Sequence, residues 1–210
     1  MFVDEINQST SIPELNKNSA GRVNFNTISA GDYLTNENYK TLRTNIFFCG
    51  VDIKVILLTS CHENEGKSTV SAELARNLAE AGKKTLFIDA DMRKSLMQPR
   101  NLKQHNHMGL SELLSGQAET EDIIYNTQDP DFDVIFSGRF PPNPVELLGG
   151  KRFSGFIQNM RNIYDYIIID SPPLGSVIDA AVIAPVCDGA IMVITPGKIT
   201  NTEALEVKKQ

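Results

Sequence analysis

Runs of hydrophobic positions alternate along the chain with segments that mix hydrophobic and polar residues. The continuous apolar runs are typical of strands buried on both faces, and they predict strands at 55–59, 85–89, 132–136, 166–170 and 190–194. The segments around them predict helices near 36–48, 67–81, 144–162 and 178–185, the first two from apolar side chains three and four residues apart. Strands that alternate with helices indicate an α/β fold with a mostly parallel sheet and helices on both of its faces.

The two ends of the chain depart from this alternation. Residues 1–30 are polar, rich in Asn and Ser and without periodicity, which predicts an N-terminal arm before one folded domain at 31–210. Thr200 and Glu203 have the spacing of a capping box and predict the start of a helix close to the end of the chain. Because an α/β domain rarely ends partway through such a helix, we expect the domain to be truncated at its C-terminus or unusually short for its class.

Composition narrows the classes of function. The net charge is −6, so the overall field repels nucleic-acid backbones and we expect no nucleic-acid partner. The 3 cysteines have no C-x-x-C spacing, which argues against a disulfide framework or a zinc site and fits a reducing cytoplasm. We find neither a signal peptide at the start of the sequence nor an apolar window long enough to span a bilayer. Any membrane association is therefore expected to come through a partner.

A G-K-S sequence lies between the first predicted strand and the helix that follows it, which is the context of a Walker A phosphate-binding loop. Its backbone N–H groups and the helix N-terminus supply partial positive charge to phosphates. In such loops the lysine bridges the β- and γ-phosphates and the hydroxyl ligates Mg²⁺, so we expect ATP and Mg²⁺ as ligands. Cys61 replaces the first glycine of the motif, which the loop tolerates if φ there is negative. The predicted nucleotide-binding residues are Glu65, Gly66, Lys67, Ser68 and Thr69.

Aspartates follow two of the other predicted strands. Asp89 and Asp91 end one strand at i and i+2, and Asp170 ends another in a Walker B pattern. Because ligands bind at the carboxyl ends of parallel strands, these three side chains should converge on the phosphate-binding loop. With Ser68 they form the predicted Mg²⁺ site, partly through water, and one carboxylate can accept a proton from an attacking hydroxyl.

Together these motifs resemble those of the bacterial tyrosine kinases that control capsule and exopolysaccharide synthesis. That family carries Walker A, Walker A′ and Walker B motifs, matched here by 66–69, 86–93 and 166–170. The stretches 109–116, 136–148 and 179–180 also resemble its patterns. The resemblance implies ATP-dependent phosphorylation of protein tyrosines by a P-loop kinase domain at 31–210. Its implied catalytic residues are Lys67, Asp89, Asp91 and Asp170, with Asp91 nearest the acceptor hydroxyl.

The resemblance also implies partners. The segment from Glu37 to Arg43 is similar to the E-x-x-R-x-x-R motif through which these kinases assemble into rings, with Lys40 in place of the first arginine. Without the family, the same three residues would be interpreted as an exposed helix face. Gram-positive members are separate chains activated by the cytoplasmic tail of a membrane-embedded regulator of polysaccharide chain length. The implied location is therefore the cytoplasm, at the inner face of the plasma membrane.

One departure concerns the C-terminal tyrosine cluster that is autophosphorylated in the family. The 5 tyrosines of this chain all lie well before its end, so we do not expect that form of autophosphorylation here. The lack of the cluster agrees with the helix that begins close to the end of the sequence, and both favour a truncated domain.

Two other functions remain open from the sequence. A ParA/MinD-like switch ATPase has the same fold but carries an extra lysine early in its phosphate-binding loop, where this chain has His62. A nucleotide-sensing scaffold of a polysaccharide export complex would bind Mg·ATP without phosphotransfer, and the departures at Cys61 and Lys40 leave room for it.

Overall fold

The computed structural model describes residues 20–23, 33–95, 108–127 and 132–209, and these contain one seven-stranded sheet. The spatial order of the strands is β1-β4-β5-β3-β6-β2-β7. Neighbouring strands are parallel except for β4 and β5, which confirms the predicted mostly parallel sheet. The strands are β1 (Gly21–Val23), β2 (Val55–Ser60), β3 (Thr85–Asp89), β4 (Tyr125–Thr127), β5 (Asp133–Ile135), β6 (Tyr166–Asp170) and β7 (Gly189–Val193).

Helices cover both faces of the sheet, as the sequence predicts. They are α1 (Tyr33–Phe48), α2 (Lys67–Glu80), α3 (Leu110–Ser115), α4 (Pro144–Leu148), α5 (Lys151–Met160), α6 (Asp179–Ile183) and α7 (Asn201–Lys208). Short 3₁₀ turns lie at Thr120–Asp122 and Ala184–Val186. None of the described helices is both long and apolar enough to cross a membrane.

The central strands are buried on both faces, and alternate side chains enter two separate cores. Val55 and Leu57 of β2 pack on the side of α3 to α6, whereas Ile56 and Leu58 pack on the side of α1 and α2. A strand with helices on both faces needs apolar residues at every position, which explains the continuous apolar runs. This packing fixes β2, β3 and β6 side by side, so that their carboxyl ends share one edge of the sheet.

Some elements differ from the prediction. The helix predicted at 144–162 is divided into α4 and α5, because Gly150 is extended with φ −76° and ψ 156°. Within the predicted arm, residues 21–23 form β1 and Val23 is buried, while residues 1–19 and 24–30 lie outside the described residues. The predicted capping box is confirmed, since the Thr200 hydroxyl accepts a bond from the Glu203 N–H and α7 begins at the next residue.

Candidate nucleotide and phosphotransfer site

A cleft of about 310 Å³ opens at the carboxyl ends of β2, β3 and β6. It is bordered by the phosphate-binding loop between β2 and α2, by the loop after β3 and by the loop after β6. The loop after β3, residues 90–95, is called the β3 loop below. Parallel strands bring their carboxyl ends together, so residues far apart in the sequence meet at this edge.

The phosphate-binding loop ends at Gly66, which precedes α2 in the left-handed conformation with φ 80°. No side chain caps the N-terminus of α2, so its first N–H groups remain available for an anion. Earlier in the loop, Asn64 also has a positive φ of 60°. Cys61 does not, and its buried thiol lies 3.6 Å from the sulfur of Met192. The loop therefore keeps its form with a cysteine at the position of the first glycine.

Lys67 and Asp170 form a buried ion pair at the base of the cleft, with 2.8 Å between Nζ and Oδ1. The Ser71 hydroxyl donates to the same oxygen at 2.9 Å. Sequence reasoning missed Ser71, whose position one turn beyond Lys67 in α2 was the available signal. The other oxygen, Asp170 Oδ2, is buried without a hydrogen-bond partner among the described residues. A buried carboxylate oxygen without a partner, in a residue that pairs with the lysine of a phosphate-binding loop, is a feature expected of a cation or proton site.

Asp89 lies beside Asp170, because the two residues are paired in register on β3 and β6. Burial and the neighbouring charge of Asp170 raise the pKa of Asp89 to about 7. One of its oxygens accepts from the Asp91 N–H at 3.1 Å, and the other accepts from the Ser95 hydroxyl. The carboxyl group is buried behind the cleft and does not line it. Because two buried carboxylates this close together repel each other, the pair favours binding either a proton or a cation.

Asp91 lines the cleft itself and is only partly buried. Its Oδ1 accepts bonds from the backbone N–H groups of Arg93 and Lys94, at 3.2 and 2.9 Å. Both bonds use one oxygen, and Oδ2 accepts no hydrogen bond from the described residues. The structure thus brings Lys67, Asp89, Asp91 and Asp170 to one edge of the sheet and gives them different exposures.

The residues predicted to bind Mg²⁺ fit that ion, although among the described residues no three acidic, imidazole or thiol groups form a cage for a metal. The Ser68 hydroxyl borders the cleft 3.1 Å from Lys67 Nζ, and Asp170 supplies the orphaned oxygen. Mg²⁺ usually keeps several waters and binds through few protein oxygens together with substrate phosphates. The donor set therefore suits a Mg²⁺ ion that arrives with a nucleotide.

The other predicted nucleotide-binding residues also border the cleft, but the side chain of Glu65 has a different role. Its carboxylate accepts bonds from the backbone N–H of His62 at 2.8 Å and of Thr195 at 3.3 Å. It therefore ties the phosphate-binding loop to the segment after β7, while Gly66, Lys67, Ser68 and Thr69 form the start of α2.

Comparisons with known proteins bear on the family to which this chain belongs. A family model described as an AAA domain matches residues 53–204. The tyrosine-protein kinase CpsD of Streptococcus agalactiae is 46% identical over 176 residues, which cover 84% of this chain and 77% of that protein. The kinase domain of the Escherichia coli tyrosine kinase ETK has a TM-score of 0.76 at 32% identity, over 83% of this chain and 69% of that chain. The chain belongs to the family of bacterial tyrosine-protein kinases.

Two further structures bear on the function of this family member. The chimerical protein CapA2B2 has a TM-score of 0.79 at 32% identity, over 91% of this chain and 86% of that chain. The cell division ATPase MinD of Pyrococcus furiosus has a TM-score of 0.61 at 27% identity, over 73% of this chain and 64% of that chain. The fold of this chain therefore also occurs in an ATPase that is not named as a tyrosine kinase.

The three residues of the predicted ring motif lie on α1, away from the cleft. Glu37 and Lys40 form an exposed ion pair at 2.8 Å. Arg43 is partly buried, and its guanidinium donates to the carbonyl of Asn77 in α2 at 2.9 Å. Within one chain, Arg43 therefore already joins α1 to α2, whereas Glu37 and Lys40 remain accessible to a neighbour.

Proposed function

We propose that this chain is an ATP-dependent protein-tyrosine kinase that acts in capsular or extracellular polysaccharide synthesis. The observation that carries the proposal is that one cleft holds both a phosphate-binding loop and Asp91, with the buried carboxyl groups of Asp89 and Asp170 directly behind. Phosphoryl transfer needs phosphate binding, charge neutralisation and a group that takes the acceptor's proton, and this edge of the sheet supplies all three.

The start of α2 would bind the phosphates. Its uncapped N–H groups supply partial positive charge, and Lys67 lies in its first turn. Without a nucleotide, Lys67 pairs with Asp170. The β- and γ-phosphates carry more negative charge than one carboxylate, so Lys67 would turn from Asp170 towards them. Asp170 would then be available to hold a divalent ion.

Mg²⁺, when bound, would neutralise charge on the β- and γ-phosphate oxygens. The residues of this chain that would hold it are Ser68, Asp89, Asp91 and Asp170, partly through water. Asp89 would release its proton on that occasion, because a neighbouring cation favours the ionised form of a carboxyl group.

Asp91 would act on the acceptor. The tyrosine oxygen attacks the γ-phosphorus, the bond from that phosphorus to the oxygen of the leaving ADP breaks, and the tyrosine proton passes to Asp91. We favour Asp91 over Asp89 because Asp91 lines the cleft, whereas Asp89 is buried behind it. A general base must come within hydrogen-bond reach of the proton that it removes.

Assembly and location form a second part of the proposal. The exposed pair of Glu37 and Lys40 would contact a neighbouring subunit in a ring, with Arg43 joining the contact from its position against α2. The activator would be the cytoplasmic tail of a membrane-embedded regulator of chain length, which would recruit the kinase to the inner face of the plasma membrane. Membership of the tyrosine-protein kinase family supports this arrangement, together with the resemblance of residues 37–43 to the ring motif of that family.

A switch ATPase is the second candidate, and the similarity to MinD favours it at the level of the fold. At the position of the extra lysine, however, His62 lies 2.9 Å from Glu203 of α7 within the same chain. A side chain that is engaged within its own chain is poorly placed to reach the nucleotide of a second subunit. The third candidate, a scaffold that binds Mg·ATP without phosphotransfer, would use the partly buried Asp91 only as a metal ligand.

The test is a transfer assay with γ-labelled ATP, Mg²⁺ and a tyrosine-rich acceptor, run with and without the activator tail. The Lys67→Met variant should lose phosphotyrosine formation by about 10³-fold or more, because the cation at the transferred phosphate is removed. Lys151→Met is the matched control, since Lys151 is exposed on α5 outside the cleft, and it should retain full activity.

Each product separates one candidate from the others. Label on tyrosine that disappears in Lys67→Met supports the kinase. Free phosphate without phosphotyrosine contradicts the kinase and supports the switch ATPase. Bound ATP with neither product, even in the presence of the activator tail, supports the scaffold.

A further inference from the structure

Arg93 projects from the β3 loop and lines the cleft on the side of Asp91. Its side chain is 40% exposed, so part of it is in contact with solvent in the cleft. Arginine binds phosphate well because its planar guanidinium offers several fixed N–H donors. A flexible arginine loses rotamer freedom when it binds phosphate. This entropic cost is smaller if neighbouring residues already hold its side chain.

Asp179 is the residue that holds this guanidinium. It is the first residue of α6, and its side chain is completely buried. Arg93 donates from Nε to Asp179 Oδ1 at 3.0 Å and from Nη2 to Asp179 Oδ2 at 3.1 Å. This two-point contact occupies one edge of the guanidinium, and within the described part of the chain Nη1 donates no hydrogen bond. A buried carboxylate without such a partner would be strongly unfavourable, so the two residues fix each other.

The backbone of Arg93 is fixed as well. Its N–H donates to Asp91 Oδ1 at 3.2 Å. Arg93 therefore contacts the proposed base through its backbone and Asp179 through its guanidinium. The hydrogen bonds that Arg93 donates to Asp179 raise the pKa of Arg93, and the charges of Asp179 and then Asp91 add to this effect. The chain of contacts therefore runs from α6 through Asp179 and Arg93 to Asp91, which lines the cleft.

We propose that Asp179 is a positioning residue for phosphotransfer, which locks Arg93 so that its free guanidinium nitrogen binds the transferring phosphoryl group and its backbone N–H orients Asp91. This inference rests on the proposed kinase activity. A preorganised cation stabilises charge that develops during transfer without having to move, and its effect falls on the chemical step. If the pair served only to attach the β3 loop to α6, breaking it would lower stability but leave the turnover number of the folded enzyme unchanged.

The experiment measures kcat for tyrosine phosphorylation and KM for Mg·ATP in Asp179→Asn, Arg93→Gln, Arg93→Lys and the double variant. Asp179→Asn should lower kcat by about 10- to 100-fold, as removal of an outer orienting partner commonly does, with less than about threefold change in KM. Arg93→Gln should have a similar effect, and Arg93→Lys should rescue little because an ammonium cannot make the two-point contact. The double variant should be no worse than either single variant, since both changes disable one device.

Asp188→Asn is the matched control, because Asp188 forms a two-point pair with Arg161 that lies outside the cleft. It should lower the unfolding temperature and leave kcat within about twofold of the original. The inference is overturned if Asp179→Asn keeps its kcat within twofold while the original protein phosphorylates tyrosine. It is also overturned if the two single effects multiply in the double variant. Absence of phosphotyrosine with the original protein would instead overturn the proposed function, and the inference with it.

Arg93→Gln keeps the test decisive if Asp179→Asn fails to fold. The arginine is partly exposed, and its replacement by glutamine leaves a hydrogen-bond donor for the buried carboxylate. An unchanged kcat in this variant would overturn the inference on its own.

Discussion

Asp188 lies at the amino edge of the sheet, whereas Asp89 and Asp170 lie at its carboxyl edge, and the two groups of carboxylates have very different partners. Asp188 accepts bonds from the backbone N–H groups of Lys54 and Val55, at 2.9 and 2.8 Å. It also receives two bonds from the guanidinium of Arg161, at 3.0 and 2.7 Å. The sheet therefore places one charged residue between the starts of β2 and β7 and satisfies both of its oxygens.

The carboxyl edge has the opposite character. Asp89 and Asp170 repel each other across the register of β3 and β6, and Asp170 Oδ2 has no partner among the described residues. Lys67 forms its ion pair with Asp170. The electrostatics of this edge favour an added proton or cation.

The pKa values follow this difference. Burial alone would raise the pKa of Asp188, but the hydrogen bonds from Arg161, Val55 and Lys54 outweigh it and lower the pKa below its usual value. For Asp89, burial and the charge of Asp170 together raise the pKa to about 7. The charged groups at the amino edge therefore stabilise the fold, whereas those at the carboxyl edge are placed to bind a nucleotide and a metal.

The largest difference in stability is expected for Asp89→Asn at pH 8. The folded-state pKa of Asp89 is raised, so its contribution to stability is present below the unfolded pKa of 3.8 and is lost as pH rises to about 7. The variant has no charge to bury, and its free energy of unfolding should exceed the original by about 4 kcal/mol at pH 8 and by less than about 1 kcal/mol near pH 4. Urea unfolding across this pH range measures the difference. A variant that is less stable than the original at pH 8 would contradict the account.

The next effect is at the other edge. Asp188→Asn should lower the free energy of unfolding by about 2 kcal/mol at neutral pH, because it weakens bonds to Arg161 and to the two backbone N–H groups. The folded-state pKa of Asp188 is lowered, so its contribution is present above pH 3.8 and is lost as pH falls below that value. The gap between variant and original should therefore be constant from pH 5 to 8 and close towards pH 3, as denaturant titrations at those pH values would show. A gap that closes between pH 5 and 8 would break the comparison.

The smallest effect concerns backbone strain. Among the described residues, Asn64 is the non-glycine residue that has a positive φ, and it lies in the phosphate-binding loop. Asn64→Gly should stabilise the protein by about 0.5 kcal/mol, because glycine adopts this conformation without a steric penalty, and part of that gain is offset in the unfolded chain. Asn64→Ala is the matched control and should destabilise by about 1 kcal/mol. Calorimetric unfolding of both variants measures the sign, and stabilisation by alanine would show that the loop is not strained there.

The placement of the residues at strand ends could be predicted from the sequence. Asp89, Asp91 and Asp170 each follow a continuous apolar run, and the topology of a parallel sheet then brings them to one edge whatever the details. The start of α2 was predicted for a similar reason, since the loop and the helix are adjacent in the chain. These predictions depend on local patterns and on one general rule of α/β folds.

Partners that depend on packing could not be predicted in this way. The contact of Arg93 with Asp179 spans 86 positions and that of Lys67 with Asp170 spans 103, and no spacing rule encodes either. Strands of three residues, such as β1 and β4, are too short to show an alternation. The division between α4 and α5 depends on the backbone of Gly150, where a glycine pair was compatible with either a continuous or a broken helix.

The most direct test of the central claim is thermal unfolding of Asp89→Asn and Asp188→Asn with and without Mg·ATP. The account predicts that Asp188→Asn melts lower than the original but keeps its full rise in melting temperature on adding Mg·ATP. Asp89→Asn should melt higher at pH 8 without ligand and lose most of that rise, because the carboxylate held for the metal has been removed. A full ligand-induced rise in Asp89→Asn, or its loss in Asp188→Asn, would contradict the division of roles between the two edges.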